Sequence, residues 1–453
     1  MTTAVRYDEP AGRWVLLATV LGSGVAMLDG TVVNLALPAI EEELAAGVTG
    51  QQWVLNGYLL TLASLILLGG SLGDRFGRRR IFLLGVVWFT AASMLCGLAP
   101  NIGVLVVARL LQGIGGALLT PGSLAIIQSS FVHEDRAKAI GAWSALGGVA
   151  TAVGPFVGGW LVDFASWRWV FLLNVPLTAV VVAVTVRHVP ESADPEASHS
   201  IDGPGAVLGA AALAALTYGI VERQWWVAAA GVLVAVAFVV AERQGRHPML
   251  PIDIFANPQF TAANLVTFAV YAALGGGFFL LAVQLQTVVG WSPLAAGAAL
   301  FPVTVLMLAL SPRAGALATR IGPRLPMSLG PIMAGAGLAL MARIDENATF
   351  LVDVFPAVVV FGLGLSLTVA PLTATVLAAA EDRHAGIASG VNNAVARVAA
   401  LLAVAALPVV AGIRDADDFA DGFATGILVA AALAAAGGGL ALLTIRDDPA
   451  VLD

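Results

Sequence analysis

The sequence predicts an all-α polytopic membrane protein. Of its 453 residues, 59% are apolar and only 11% are charged, and the mean hydropathy is +0.91. Soluble domains are nearer to about 45–50% apolar and about 25% charged. The apolar fraction amounts to roughly 267 residues, which is enough for about 13 spans at about 20 residues per crossing. This composition excludes a soluble enzyme.

Residue types that are rare in the chain exclude further classes of function. Lys138 is the only lysine among 22 basic residues and is followed by Ala139, so there is no P-loop for ATP. Cys96 is the only cysteine, which excludes an intrachain disulfide and a cysteine-based metal site. The net charge of −7 argues against nucleic acid as a partner. The five histidines are not spaced like zinc ligands, and we expect no metal and no cofactor. They are His133, His188, His199, His247 and His384.

Apolar segments of spanning length, separated by short polar breaks, predict fourteen membrane helices. The predicted helices are 14–37, 52–72, 81–99, 102–128, 138–162, 169–187, 203–221, 225–241, 260–287, 293–312, 325–342, 351–378, 386–411 and 423–444. The first run is too long for a signal peptide and has no small-residue cleavage site, so we expect it to be a retained helix.

The distribution of Arg and Lys predicts the orientation. An even number of helices puts both termini on one side of the membrane. With the N-terminus inside, 16 of the 22 basic residues lie on the cytoplasmic side, 4 lie outside and 2 lie within helices. This asymmetry predicts that both termini are cytoplasmic. The short hairpin 203–241 does not affect this prediction, because omitting both of its helices leaves the number even.

A motif at the inner end of the second predicted helix recurs after the tenth. Residues 70–80 and 315–324 both fit Gly-x-Leu-x-x-Arg-x-Gly-x-Arg, with Asp74 in the first copy and Thr319 at that place in the second. Internal repeats are typical of secondary transporters. The glycines Gly70, Gly73 and Gly77 predict a tight turn in which Asp74 faces an arginine or a helix N-terminus. Positive charge on the inner side is the alternative explanation for this loop.

Three ionisable residues lie clearly inside predicted helices, where they cost about 2.5–3.5 kcal/mol each on insertion scales. They are Asp29, Arg109 and Arg397. Asp29 lies roughly 13 Å from the outer end of its helix, and Arg109 lies roughly 12 Å from the outer end of the fourth, at 1.5 Å per residue. The two side chains therefore pair if their helices are neighbours. Such a pair either exchanges a proton during transport or only holds the helices together.

Other candidates lie in the second half and along the predicted helices. Arg397 either contacts an anionic substrate, balances charge when Asp29 is protonated, or is satisfied by backbone carbonyls. Polar and aromatic residues either line a cavity or connect helices. They are Asn34, Asn56, Tyr58, Gln112, Trp143, Asn264, Tyr271, Gln284, Gln286 and Asn393. Gly154, Pro155, Gly158 and Gly159 predict a kinked, closely packed fifth helix that either is a gate hinge or only packs closely.

Together these motifs resemble the major facilitator superfamily, and within it the fourteen-helix drug:proton antiporter family. Residues 70–80, including Arg75 and Arg78, match the superfamily's loop between helices 2 and 3. Residues 109–116 match the Arg-x-x-Gln-Gly-x-Gly pattern of helix 4, and residues 154–159 resemble the antiporter motif of helix 5. Residues 28–38 and 166–176 are typical of the fourteen-helix branch. Ala150 departs from the helix 5 motif, which has a glycine there.

The resemblance implies a fold and a mechanism. It implies a six-helix bundle over 1–187, a linker with two extra helices over 188–259 and a second bundle over 260–453. It also implies alternating access driven by proton influx, with Asp29 as the titrating carboxylate and Arg109 in the proton relay. Asp74 would contact the start of the thirteenth helix when the inner side is closed. No acid lies deep in the second half, where Asp353 and Glu381 are at helix ends. This favours neutral or monovalent cationic substrates.

The predicted function is therefore proton-coupled export of hydrophobic drugs across a bacterial plasma membrane, by a non-enzymatic protein that we expect to be a monomer. Its partners would be a small-molecule substrate, protons and the lipid bilayer. The main alternative is an exporter of one natural product or metabolite, and uptake by symport is a further one. A lipid-carrier enzyme would need paired carboxylates or a membrane histidine. A scaffold would carry a soluble domain, whereas the longest polar segment is only His188–Asp202.

Overall fold

A computed structural model of the chain describes residues 5–194, 202–245, 248–380, 385–415 and 417–447. Within these ranges the regular elements are helices, apart from one isolated bridge between Val5 and Phe131. The α-helices are α1 Pro10–Leu44, α2 Gly47–Phe76, α3 Arg78–Gly97, α4 Ile102–Ser130, α5 His133–Phe164, α6 Arg168–Leu172, α7 Asn174–His188, α8 Gly203–Val221, α9 Trp225–Gln244, α10 Pro258–Val283, α11 Pro293–Ala299, α12 Phe301–Ile321, α13 Arg324–Met341, α14 Phe355–Ala378, α15 Ala385–Val410 and α16 Phe419–Thr444. His199, His247, Glu381 and His384 lie outside the described residues.

The predicted all-α membrane fold is confirmed. In the described ranges, 13 helices are long and apolar enough to cross a membrane. The remaining predicted helix is formed as α13, which has 18 residues. It begins with the charged Arg324 and contains Pro326 and Pro331, so its apolar stretch is shorter than those of the other helices.

The helix bounds differ from the predicted ones for two physical reasons. The first is that polar residues continue a helix beyond its apolar stretch, so α1 runs over Pro10–Leu44 rather than 14–37. The second is proline, whose missing N–H breaks the i→i−4 hydrogen bond. The predicted helix 169–187 is interrupted at Leu173, three residues before Pro176, and 293–312 is interrupted at Leu300, two residues before Pro302.

The chain divides into two compact units. Unit 1 is Met1–Ala45, Trp53–Ala214 and Gly231–Leu250, and unit 2 is Ala46–Gln52, Ala215–Ala230 and Pro251–Asp453. In unit 1, α1 packs on α4, α5 and α7, and α3 packs on α4 and α7. In unit 2, α10 packs on α14, α15 and α16, and α13 packs on α14 and α16. The same pattern of helix pairs thus occurs in both units, as the repeated motif suggested.

Small residues bring α3 and α4 into close contact. A Cβ atom on Gly115 of α4 would lie 2.5 Å from the backbone nitrogen of Phe89, and one on Gly85 of α3 would lie 2.7 Å from that of Leu119. Real Cβ atoms essentially never approach backbone so closely. The glycines of the helix 4 motif are therefore required by packing, and they hold Arg109 and Gln112 at a fixed position against α3.

Two carboxyl groups, both in unit 1, form hydrogen bonds at the end of the α8–α9 hairpin where α8 begins and α9 ends. Asp202 accepts hydrogen bonds from the backbone N–H of Gly205 at 2.8 Å and of Met249 at 3.1 Å. Glu242 is buried and accepts from the N–H of Leu250 at 2.7 Å. Burial raises the pKa of Asp202, but the two N–H groups and the Glu242 carboxyl outweigh it and hold that pKa below its ordinary value. The bond from Met249 to Asp202 therefore holds the segment after α9 against the start of α8.

The close contact between α3 and α4 leads to a prediction about stability. Gly115→Ala should destabilise the protein by about 1–3 kcal/mol, because overpacking a closely packed contact forces the backbone apart. Thermal unfolding of the purified protein, followed by tryptophan fluorescence, would measure the effect. Gly141→Ala on α5 is the control, since a Cβ atom added there would have no neighbour within 4 Å. Equal melting temperatures for the two variants would contradict the packing explanation.

Candidate functional site

Asp29 on α1 and Arg109 on α4 form a buried ion pair in unit 1. Nη1 of Arg109 lies 2.6 Å from Oδ2 of Asp29, and the side chains of Arg109 and Asp29 are 1% and 0% exposed respectively. The sequence places both residues at similar depth, and the contact between α1 and α4 brings them together. A pair of opposite charges is tolerated in such a place only while both partners remain in contact.

Gln112 completes the contacts of the Asp29 carboxylate. It lies one turn after Arg109 on α4 and is fully buried. Its Nε2 donates to Oδ1 of Asp29 at 2.8 Å, and its Oε1 accepts from Nη1 of Arg109 at 2.6 Å. The two oxygens of Asp29 therefore receive one charged and one neutral donor. This is the geometry of an ionised carboxylate.

The guanidinium of Arg109 is enclosed on its other sides. Its Nε donates to the backbone carbonyl of Val54 on α2 at 2.9 Å. The ring of Tyr58 lies 4.5 Å from the guanidinium carbon, and the ring of Phe171 lies 5.7 Å from it. Such cation–π contacts are strongest when water is excluded. Tyr58 and Gln112, which the sequence suggested as cavity residues, thus lie against Arg109.

The glycines of α5 pack this helix onto the segment of α1 that carries Asp29. A Cβ on Gly158 would lie 2.5 Å from Cγ1 of Val32, and one on Gly154 would overlap Oγ1 of Thr31. Pro155 lies inside α5, and Gly159 is buried. A displacement of α1 near Asp29 would therefore be transmitted to α5.

The loop between α2 and α3 contains a second group of charges. Oδ1 of Asp74 accepts a hydrogen bond from Nε of Arg78 at 2.9 Å. The guanidinium carbon of Arg75 lies 4.8 Å from the centre of the Phe76 ring. Gly70 packs on Pro121 of α4, and a Cβ added to Gly73 would meet only the Cα of Arg78, at 4.0 Å. The predicted contact between Asp74 and an arginine is present, and its partner is Arg78, four residues later in the sequence.

Glu191, which the sequence analysis did not identify, is central to this loop. Its Oε1 accepts from the backbone N–H of Arg79 at 3.0 Å, at the start of α3, where a negative charge is favoured. The side chain of Arg79 donates to the carbonyl of Val189 at 3.0 Å. Gly77 has φ +109°, and a Cβ there would lie 2.7 Å from Oε1 of Glu191. Only glycine fits this turn.

The second copy of the motif has the same arrangement in unit 2. Oδ1 of Asp447 accepts from the backbone N–H of Arg324 at 3.0 Å, and Nε of Arg324 donates to the carbonyl of Leu442 at 2.8 Å. Gly322 has φ +88° and lies against Asp447. Thr319, which stands where the first copy has Asp74, donates to the Ala316 carbonyl of its own helix. Glu191 and Asp447 lie three residues after the ends of α7 and α16. Each is the first acidic residue after its helix, and this is the signal in the sequence.

The remaining cavity candidates are distributed over both units. Asn393 is exposed and donates to the Ser389 carbonyl, while Gln284 is buried and donates to the Ile344 carbonyl at 2.9 Å. Four of the candidates have a buried atom without a hydrogen-bond partner among the described residues. These atoms are Oδ1 of Asn34, Nδ2 and Oδ1 of Asn56, Oε1 of Gln284 and Nε of Arg397. Among the residues that the structure describes, no three His, Cys, Asp or Glu side chains lie close enough together to hold a metal ion.

Known proteins with similar sequences are resistance and export proteins. The tetracenomycin C resistance and export protein of Streptomyces glaucescens is 32% identical over 440 residues, which cover 92% of this chain and 82% of that protein. The methylenomycin A resistance protein of Streptomyces coelicolor is 36% identical, with coverage of 89% and 86%. The multidrug resistance protein Stp of Mycobacterium tuberculosis is 35% identical, with coverage of 86% and 74%.

Solved structures show the same fold at low identity. A peptide transporter POT in complex with sulfate has a TM-score of 0.71 at 13% identity, with 98% of this chain and 96% of that chain covered. A D-xylose-proton symporter has a TM-score of 0.70 at 13% identity, with coverage of 96% and 98%. Residues 19–404 match the Major Facilitator Superfamily. The resemblance predicted from the motifs is confirmed, and this multi-pass membrane protein belongs to the Major Facilitator Superfamily.

Proposed function

We propose that the protein is a proton-coupled exporter of hydrophobic drugs that works by alternating access. The observation that carries this proposal is the buried pair of Asp29 and Arg109, in which a carboxylate is held by charged and neutral donors away from water. An ionisable group at this depth is by default a functional candidate. The printed names of the relatives, which include resistance and export proteins, support the direction of transport.

The geometry suggests how proton uptake drives the conformational change. The structure has the contacts of ionised Asp29. A proton on Oδ2 would remove the negative charge that Nη1 of Arg109 contacts. The guanidinium would keep the Val54 carbonyl and Oε1 of Gln112, so Arg109 would stay in place while the charged bond between α1 and α4 is lost and only the Gln112 amide still joins the two helices. Because α5 packs on α1 beside Asp29, both helices would then move together.

The proposal also includes the orientation in the membrane, the charge of the substrate and the oligomeric state. Both termini lie in the cytoplasm of a bacterial cell, the substrate is neutral or monovalent cationic, and the protein works as a monomer. The bundles are 1–187 and 260–453, with the linker 188–259 between them. We assign Gln112 and Tyr58 to the proton-coupling site with Asp29 and Arg109. Asn34, Gln284, Asn393 and Arg397 remain the residues that we propose for contact with the substrate.

A second candidate is an exporter of a single natural product. It is favoured by the relatives that are named for one compound each, tetracenomycin C and methylenomycin A. Both candidates use the same coupling site, so they differ only in the range of compounds exported. A broad resistance profile in a sensitised host would favour the multidrug function.

The coupling role of Asp29 can be tested in proteoliposomes with an internal pH-sensitive dye. Asp29→Asn should abolish drug-induced proton release, because no titrating group remains at this position. The unpaired Arg109 should also cost about 3–5 kcal/mol of stability, so Asp29→Asn/Arg109→Gln is included as a variant without buried charge. Glu43→Gln is the matched control, since this acid of the same helix pairs with Arg168 near the helix end. Undiminished proton release in Asp29→Asn would contradict the coupling role.

The gating role of Asp74 makes a different prediction. Asp74→Asn should slow efflux about tenfold, as expected for the loss of a charge-assisted hydrogen bond in the rate-limiting conformational change. Drug binding should change less than twofold. Turnover in proteoliposomes and equilibrium drug binding would separate the two effects. Asp8→Asn is the control, because Asp8 forms an exposed pair with Lys138. Loss of drug binding in Asp74→Asn would show that the residue belongs to the binding site instead.

A further inference from the structure

Asn174 is a buried amide at the start of α7, directly after the interruption at Leu173. Its Nδ2 donates to Oγ of Ser93 on α3 at 2.9 Å. Ser93 is fully buried and lies next to Gln112, whose Nε2 is 3.2 Å from the same Oγ. The hydroxyl of Ser93 itself donates to the Phe171 carbonyl at 2.8 Å. One serine oxygen therefore connects α3, α4, α6 and α7.

The hydrogen-bonding capacity of Ser93 fixes the direction of each bond. A serine hydroxyl has one proton to donate and two lone pairs to accept with. The proton goes to the Phe171 carbonyl, which can only accept, and one lone pair receives the Asn174 amide. The second lone pair is left for Gln112, which must therefore present its NH₂ group to Ser93.

This direction determines what Gln112 presents to Asp29. With its NH₂ group facing Ser93, Gln112 donates to Oδ1 of Asp29 and turns its Oε1 toward Nη1 of Arg109. The Sγ of Cys96, 3.5 Å away, donates to the same Oε1. If the amide rotated by half a turn, its oxygen would face a carboxylate and a serine that has no proton left to offer. The rotated state is therefore disfavoured while Asp29 is ionised.

We propose that Ser93 and Asn174 are positioning residues for proton coupling, which hold the Gln112 amide with its N–H toward Asp29 and so favour the ionised form. This proposal rests on the proposed function, since it assigns the coupling proton to Asp29. It also gives a role to the asparagine of the 166–176 motif. A proton on Oδ1 would face the Gln112 N–H, and Ser93 opposes the rotation that would turn the amide oxygen toward it, so the proton goes to Oδ2.

The ionisable groups in contact with this chain of hydrogen bonds are Arg109 from α4 and Cys96 from α3. The other helices that pack on α1 have their ionisable residues at their ends. These residues are His133, Glu134, Asp135, Arg136, Lys138 and Asp163 on α5, Arg168 on α6, and Arg187 and His188 on α7. The expected change in the pH midpoint of proton release therefore depends on Asp29 and on the two side chains that donate hydrogen bonds to it, Arg109 and Gln112.

Ser93→Ala removes the acceptor that holds Gln112, and Asn174→Ala releases one of the two donors that hold Ser93. Both changes weaken the donation to Asp29, so the pH midpoint of drug-induced proton release should rise. The free energy of a hydrogen bond to a charged group corresponds to about one pH unit or more. Weakening this bond should therefore shift the pH midpoint of proton release by about half a pH unit to one pH unit. The shift in Ser93→Ala should be the larger.

The test measures drug-induced proton release over a range of pH, using the full chain in proteoliposomes and lipophilic drugs as probes. Thr178→Val is the matched control. The Thr90 and Thr178 hydroxyls, 2.5 Å apart, also join α3 to α7 but do not contact Gln112. We expect higher midpoints in Ser93→Ala and Asn174→Ala and an unchanged midpoint in Thr178→Val. If Ser93→Ala does not fold, Asn174→Ala alone carries the test.

The outcomes separate the inference from the function on which it rests. Wild-type midpoints in both Ser93→Ala and Asn174→Ala would overturn the positioning role and leave the exporter intact. An equal shift in Thr178→Val would also overturn it, because the cause would then be the packing of α3 on α7. No drug-induced proton release from the wild-type protein would instead overturn the proposed function.

Discussion

The contact between Asp29 and Arg109 is the constraint on which the rest of unit 1 depends. Each charge is costly in a membrane protein core without the other, so α1 and α4 must stay adjacent while both are ionised. The glycines of α4 allow α3 to approach, and those of α5 allow that helix to pack beside Asp29. In the function that we propose, one proton on Asp29 changes which of these contacts are favourable and so switches the pair between two states.

The two units have the same construction at the two copies of the repeated motif, with one difference. In each, an acid three residues after a helix end accepts from the backbone of the motif arginine, and a glycine with positive φ makes room for it. Glu191 and Asp447 thereby fasten the chain after α7 and α16 to the starts of α3 and α13. Asp74 has no acidic counterpart at Thr319. The shared contacts therefore belong to the construction of both units, whereas Asp74, which occurs in the first copy only, is the residue that we propose for gating.

The sequence was sufficient for the fold and for the centre of the site, because both depend on strong local signals. Apolar runs of spanning length predicted the helices, and the similar depth of Asp29 and Arg109 predicted that they pair if α1 and α4 are neighbours. Ser93 and Asn174 could not be identified in this way. A serine or asparagine in a helix has many possible partners, including its own backbone, and only the packing of α3 on α4 and α7 selects among them. Helix ends were also missed where polar residues extend a helix or proline interrupts it.

The account depends on Asp29 giving up its proton when the drug binds. Infrared difference spectroscopy of the membrane-reconstituted protein, recorded on addition of a lipophilic drug, would observe this carboxyl group directly. The account predicts that the wild-type protein loses a protonated carboxyl signal and gains a carboxylate signal, and that Asp29→Asn shows neither change. The same change in Asp29→Asn would place the exchanged proton on another group and contradict the account.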